Sequence, residues 1–357
     1  MPSTTLITGG AGFIGGAVAD ALIQAGDRVV LLDILHPQVH AGFGRPPRLA
    51  SEAELLPVDV TNAANWDAVL RLVRPDKVIH LAAETGTGQS LNEATRHVKV
   101  NVLGTSQMVD AFIRHGMSPG QILLASSRAV YGEGLWRTES DETFVPPPRR
   151  HLDLENAQWD PVGPLGEKVS PIPHRADTTP AKPTSVYGAT KMAQEMILSA
   201  WAVAKGVPLS VLRLQNVYGP GQSLTNSYTG IVSLFARVAK QGDPIDVYED
   251  GNILRDFVFI EDVVDAIMAA IAQPPEAERV LDIGAGDATT IKGLADAIAA
   301  HYGAPAPVVS GRFRDGDVRA ACADIAPAQS LLGYRPKWEL SDGLGALFEW
   351  IDDEVTS

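Results

Sequence analysis

At 357 residues, 45% hydrophobic and 20% charged, the chain is too long for one small core and has the composition of a soluble globular protein with two domains, or one domain with a large elaboration. Its 43 acidic residues outnumber 29 basic ones, and the formal net charge of -14 opposes attachment to phosphate backbones and anionic membranes, so neither nucleic acid nor membrane is an expected partner. The single cysteine, Cys322, excludes an internal disulfide and a thiolate metal cluster. With no leader-like amino terminus and no run near ~18 uninterrupted apolar residues, the expected location is the cytoplasm.

Residues 4–8 read as a short buried strand, and Gly9-Gly10-Ala11-Gly12-Phe13-Ile14-Gly15 follows directly, opening a helix-compatible run over 16–25. Gly9, Gly12 and Gly15 stand where a tight turn, the approach of a phosphate and the packing of helix on strand each exclude a Cβ. Backbone amides and a helix N-terminus at such a turn favour a pyrophosphate. Residues 28–32 form a second strand ending in Asp33, placed to grip an adenosine ribose diol. Residues 36–47 are rich in Pro, Gly and His and read as a loop. Pro37 argues against a helical metal pair at His36 and His40.

A strand over 55–58 leads to Asp59-Val60, then a helix over 65–73 and a strand over 77–82, the alternation of an α/β doubly wound parallel sheet covered on both faces. Glu84-Thr85-Gly86-Thr87-Gly88-Gln89-Ser90 is expected to be a polar loop at a strand's carboxyl end, where such sheets place ligands. A helix over 101–113 and a strand over 121–125 follow, ending in Ser126-Ser127. Between Tyr131 and Val186 the pattern lapses into Pro, Gly and charge, read as an insertion near the site.

A long helix over 187–204, a strand over 209–214, a turn at Gly219-Pro220-Gly221, a helix over 231–240, a strand-like run over 255–260 and a helix over 261–272 come next. Val280-Leu281-Asp282-Ile283-Gly284-Ala285-Gly286 looks like a methyltransferase cofactor loop, but it comes after the sheet should be complete and is taken as structural. Residues 291–351 alternate helices and turns in a small second lobe.

Tyr187 and Lys191 lie four apart on the helix over 187–204, hence on one face. A phenol with a pKa near ~10 is a poor base. An adjacent ammonium and an oxidised nicotinamide could bring it to about 7, which asks for ~4 kcal/mol of differential interaction. Ser127, at a strand end, supplies a hydroxyl to the same site.

Taken together, residues Thr8 to Gly15, Asp33, Asp59-Val60, His80-Leu81-Ala82-Ala83, Asn101 with Gly104-Thr105, Ser126-Ser127 with Val130-Tyr131-Gly132, the Tyr187 and Lys191 pair, and Asn216-Val217-Tyr218-Gly219-Pro220-Gly221 resemble the extended short-chain dehydrogenase/reductase family of nucleotide-sugar epimerases and dehydratases, over almost the whole chain. The resemblance implies a Rossmann-type cofactor domain over 1–216 and 261–283 that carries the insertion at 133–186. A smaller nucleotide-sugar lobe would comprise 217–260 and 284–357. It implies an NAD(P) cofactor held by Gly9, Gly12, Phe13, Ile14, Gly15, Asp33, Asp59, Val60, Leu81, Ala82, Ala83, Asn101, Ser126, Tyr187 and Lys191. Asp33 favours NAD, because its carboxylate repels a 2′-phosphate.

By the same resemblance Ser127, Tyr187 and Lys191 are the catalytic set. The substrate contacts are Thr85, Gln89, Ser127, Arg128, Asn216, Arg255, Arg314 and Asp317, the arginines pairing with phosphate oxygens. No metal is expected, and the helices over 101–113 and 187–204 are expected to pair across a homodimer as a four-helix bundle. Family dehydratases carry an Asp-Glu pair after the catalytic hydroxyl, because loss of water needs a further acid and base; here Arg128-Ala129 stands in its place. The branch that inverts two ring carbons uses an active-site cysteine, and Cys322 lies far along in the second lobe.

What remains is 4-epimerisation, and the 84–90 loop, the insertion and Gly221 to Gly230 look like the branch acting on dTDP-6-deoxyhexoses. Relatives there often carry Cys-Pro-x-Cys-Gly, where this chain has Trp159-Asp160-Pro161-Val162-Gly163-Pro164. A one-way 4-ketoreductase on the same scaffold and a non-catalytic nucleotide-sugar sensor remain as alternatives.

Overall fold

The computed structural model describes residues 2–40, 44–224 and 230–356. Among them seven strands form one parallel sheet: β1 (Thr4–Thr8), β2 (Arg28–Asp33), β3 (Glu54–Pro57), β4 (Lys77–His80), β5 (Gln121–Ser127), β6 (Leu209–Leu214) and β7 (Glu278–Ile283). Their order is β3-β2-β1-β4-β5-β6-β7, with Ile7 opposite both Leu31 and Ile79.

Because successive side chains of a strand point to opposite faces, these apolar runs supply two layers at once. Ile7, Leu31, Ile79, Leu123 and Leu212 face the layer shared with α1 (Phe13–Gln24) and a helix at Ile260–Ala272. Leu6, Val30, Val78, Leu124 and Val211 face the layer built by α2 (Ala63–Leu72), α3 (Gly104–Arg114) and α4 (Val186–Lys205). Strand order reverses between β1 and β4, which opens a crevice at their carboxyl ends. A third apolar cluster lies beyond the sheet. It joins Phe235 of α5 (Ile231–Lys240), Leu294 and Ile298 of α7 (Ile291–Tyr302), Leu347 and Phe348 of α8 (Leu340–Thr356), and Tyr218, Phe257 and Phe259, with Ile260–Ala272 as α6 between.

Several expectations are revised here. The stretch expected as a loop over 84–90 coils into a short helix, Thr87–Asn92, entered from Gly86 at φ 99. The helix expected from 101 starts at Ala94 and passes through a π-helical stretch, Val98–Leu103, before α3. The segment after Tyr131 is ordered: Trp136–Thr138 pairs antiparallel with both Thr143–Phe144 and Val169–Pro171, and His151–Glu155 is a helical turn.

Residues 280–283 do not follow a finished sheet; they belong to β7, paired along β6 from Glu278 opposite Leu209 to Ile283 opposite Leu214. The glycine turn after them is structural, since the amides of Ala285 and Gly286 donate to the Asp256 carboxylate at 2.8 and 3.1 Å. That same Asp256 divides the run expected as one strand over 255–260 into Leu254–Arg255 and Phe257–Phe259. Of the Gly221 to Gly230 stretch, residues 225–229 lie outside the described residues.

Candidate active site

The crevice between β1 and β4 has a volume of about 420 Å³ and is lined by Gly9, Gly12, Asp33, Asp59, Val60, Leu81, Ala82, Ala83 and Thr85. Gly9 lies at φ +67, and a Cβ there would stand 2.8 Å from the Ala82 nitrogen; a Cβ at Gly15 would strike the Gly9 carbonyl. A Cβ at Gly12 would meet only the Gly9 carbonyl, at 3.2 Å, so its outer side opens onto the crevice. This is a cradle that only glycine leaves free, at the start of α1, and it fits a pyrophosphate. Asp33 is held by the amides of Ala11 (3.1 Å) and Leu35 (2.9 Å). Phe13 faces a neighbouring groove, and Ile14 packs against the apolar cores.

Two of the expected cofactor residues sit behind the crevice wall. Asn101, in the π-helical stretch, accepts from the Glu84 amide (2.7 Å) and donates to the Glu84 carbonyl (3.0 Å) and to Thr190 (2.9 Å), so it shapes the loop that borders the crevice. Ser126 donates to Glu195, itself paired with Arg213. Sequence reasoning missed Arg96, which reaches the crevice while paired with Glu84 at 2.8 Å and Glu93 at 2.9 Å. Lys99 lines it as well.

Ser127 ends β5 and accepts from the Ala129 amide at 3.2 Å. Tyr187 lies in the first turn of α4, where Ser185 caps by accepting from the Gly188 amide (3.0 Å) and the Tyr187 amide donates to Ser90 (3.1 Å). Burial raises the Tyr187 phenol above its ordinary value, while a hydrogen bond from Ser127 and the positive charge of Arg128 act downward. Arg128 is thus a second cation acting on the phenol, one that the spacing of Tyr187 and Lys191 did not reveal.

Lys191 is buried and its Nζ donates to Gln194 Oε1 at 2.6 Å. Burial brings its ammonium down to about 7 against the opposing pull of Glu195. Gln194 in turn donates to Thr105 (2.8 Å) and meets His80 Nε2 (3.2 Å), whose pKa falls to about 3 through burial and the nearby Lys191 charge.

On the other side of Arg128 a pocket of about 200 Å³ is lined by Arg128, Asn216, Arg255, Arg314, Asp317, Tyr248 and Glu249, together with Thr87 and Gly88. Arg128 Nε donates to Asn216 Oδ1 at 2.9 Å. Burial, aided by Arg255, lowers the guanidinium to about 10. Arg255 donates to Asp317 Oδ1 (2.7 Å) and to the Val318 carbonyl (2.8 Å). Burial pushes the Asp317 carboxyl up, but Arg255 and Arg128 outweigh it and hold it below the usual range. Arg314 lies 5.2 Å over the Tyr248 ring. Three guanidinium groups around one pocket suit a diphosphate.

Of the expected substrate residues, Thr85 lies on the crevice side and Gln89 turns to Gln38 (3.1 Å) and Glu93 (3.0 Å), leaving Thr87 and Gly88 to face the pocket. Tyr248 and Glu249 were not anticipated; an aromatic residue before a Glu-Asp-Gly turn was the available signal. Cys322 lies against Asp256 with its thiol pushed up to about 12 by burial, remote from nucleophilic use. Among the described residues no group of three or more His, Cys, Asp or Glu is placed to hold a metal, and no helix is long and apolar enough to cross a membrane.

Known proteins resemble the chain over nearly its whole length. The model of the NAD dependent epimerase/dehydratase family matches residues 5–152 and 162–284. The chain is 55% identical over 350 residues to a dTDP-L-rhamnose 4-epimerase of Burkholderia thailandensis, covering 98% of this chain and 95% of that one. Among solved structures it superposes on the UDP-glucose 4-epimerase of Thermotoga maritima with UDP-glucose (TM-score 0.78, 29% identity, 99% of each chain). It also superposes on MoeE5 in complex with UDP-glucuronic acid and NAD (TM-score 0.76, 28% identity, 99% of this chain and 100% of that one). The chain is therefore an enzyme of the NAD dependent epimerase/dehydratase family, with NAD as its cofactor.

Proposed function

We propose that the enzyme is a nucleotide-sugar 4-epimerase interconverting dTDP-L-rhamnose and dTDP-6-deoxy-L-talose through a 4-keto sugar. The observation that carries this reading is that Ser127 and Arg128 both act on the Tyr187 phenol while Arg128 also lines the arginine-rich pocket, in the place where a dehydration acid would stand. The likeness to the Burkholderia enzyme supports the choice of sugar and disfavours a one-way reductase.

Gly9, Gly12, Gly15, Asp33, Asp59 and Val60 would hold the NAD, whose chemistry when bound is reversible oxidation at carbon. Tyr187 takes the proton of the sugar 4-hydroxyl and later returns it, with Ser127 hydrogen-bonded to the same oxygen. Arg128 favours the phenolate electrostatically, and Lys191, which donates to Gln194, would hold the phenolate and the ribose of the NAD. Arg255 and Arg314 pair with the diphosphate, Asn216 holds Arg128, and Asp317 holds Arg255. C4 of the ketone is planar, so the anchored diphosphate lets the hexose turn while remaining bound.

The test is incubation of purified protein with dTDP-L-rhamnose and no added reductant, reading C4 configuration by NMR. Net C4 inversion is expected, and Tyr187→Phe should retain NAD while turnover falls by roughly three orders of magnitude. A stoichiometric need for NAD(P)H would turn the reading to a reductase. We further propose a cytoplasmic homodimer, supported by apolar side chains left exposed on α3 and α4, notably Ile113, Met196 and Val203.

A further inference from the structure

Two arginines and two glutamates are buried together beside the arginine-lined pocket. Glu133 and Arg149 come from the segment after Tyr131, Glu249 and Arg319 from the second lobe, and their side chains are 2%, 5%, 1% and 4% exposed. Arg149 pairs with Glu133 (3.2 Å) and Glu249 (2.8 Å) and donates to the carbonyls of Asp317 (2.9 Å) and Trp159 (3.3 Å). Arg319 pairs with Glu249 (3.0 Å), Asp250 (2.7 Å) and Asp160 (2.6 Å), and its amide donates to Glu133 (3.0 Å). Desolvation cancels most of what such pairs gain, so a buried set is poor evidence of stability; its use is to select one arrangement over others.

The arrangement selected here is a wall of the pocket. Asp317 is gripped from both ends, its carbonyl by Arg149 and its carboxylate by Arg255. Glu249 sits at φ +54, a left-handed conformation that disfavours a side-chain-bearing residue and persists only where its surroundings over-determine it. That conformation follows directly on Tyr248, whose ring carries Arg312 and Arg314 at 5.0 and 5.2 Å. A second set of contacts acts on the same loop: Trp159 and His151 pack against Phe313 at 6.3 and 5.2 Å, and His151 bonds Asp315 at 3.0 Å. Trp159 and Asp160 fall in the stretch 153–161, outside the family match.

We infer that Arg149 is a positioning residue for nucleotide-diphosphate recognition, fastening residues 149–160 to the loop that carries Arg314 and Asp317 and fixing Glu249 behind Tyr248. The inference rests on the reading of this pocket as the nucleotide-diphosphate subsite. It makes this segment a determinant of affinity for the nucleotide, acting at a distance from the reacting C4.

The experiment uses the full-length holoenzyme and dTDP as probe, with calorimetric Kd, KM and kcat for dTDP-L-rhamnose, bound NAD and thermal midpoint measured together. Arg149→Met should weaken dTDP about tenfold and raise KM by a similar factor, with kcat within about threefold of wild type and NAD content unchanged. Arg149→Lys should recover the thermal midpoint more than the affinity, because one ammonium cannot serve Glu133, Glu249 and the Asp317 carbonyl together. Trp159→Ala, which removes no buried charge, should raise the dTDP Kd about threefold and decides the matter if Arg149→Met does not fold.

Wild-type affinity for dTDP in Arg149→Lys and Trp159→Ala, with only the thermal midpoint lowered, would reduce the cluster to a structural brace and overturn the inference while leaving the pocket's reading intact. Failure of the wild-type enzyme itself to bind dTDP would remove that reading and the inference with it.

Discussion

Tyr187 is a buried phenol whose surroundings pull in two directions, burial upward and Ser127 with Arg128 downward. Replacing Arg128 by Met removes the cation, so the phenolate becomes harder to form and the limb of the kcat–pH profile that reports the base should move to higher pH, by about one unit for each ~1.4 kcal/mol of lost interaction. An unmoved limb in the variant would show that Arg128 does not set the acidity of the phenol and leave it to Ser127 and Lys191. The Tyr187 and Lys191 pair was legible from a spacing of four on a helix, because that relation is local. The grip of Gln194, which takes the Lys191 ammonium, on Thr105 and His80 was not, because those bonds join α4 to α3 and β4 across more than eighty residues of chain.

At the level of elements, the opening turn is set by sterics. A Cβ at Gly15 strikes the Gly9 carbonyl, so Gly15→Ala must open the turn from which amides face the crevice. Purified Gly15→Ala is expected to carry at least tenfold less NAD than wild type, measured by release of the nucleotide on denaturation, with the sheet retained by circular dichroism. Retention of a full complement of NAD would show that the turn does not bear on the cofactor. The same locality made this element readable: strand, glycines and helix follow one another within twenty-four residues. The three-stranded sheet around Trp136–Thr138 shows the opposite case. Its strands are two or three residues long, too short for any period, and they exist because Trp136 finds Phe144 and Pro171 rather than because of their own propensity. Tyr248 and Glu249 were hidden for a related reason, since the buried partners that set them come from Arg149 and Arg319, a hundred residues before and seventy after.

For the whole molecule, α3 and α4 lie side by side on one face of the sheet and leave Ile113, Met196 and Val203 at 52%, 63% and 64% exposure. Two copies burying these faces would form the proposed dimer. Sedimentation should therefore give twice the chain mass for wild type and a single chain mass for the double variant Met196→Glu, Val203→Glu, whose like charges would face each other across the contact. A wild-type monomer would remove the assembly.

The chain also leaves the seven-stranded sheet after β6 to build the third apolar cluster, and the sheet acquires β7 only after α5 and α6 have been made. Until then β6, buried along its whole length in the finished protein, presents an open row of amides and carbonyls to whatever strand comes near. The sheet is thus born incomplete on the ribosome: a message cut after residue 216 is expected to yield a sticky edge in place of a smaller enzyme, and the segment between β6 and β7 is in effect the tether that delivers the missing strand.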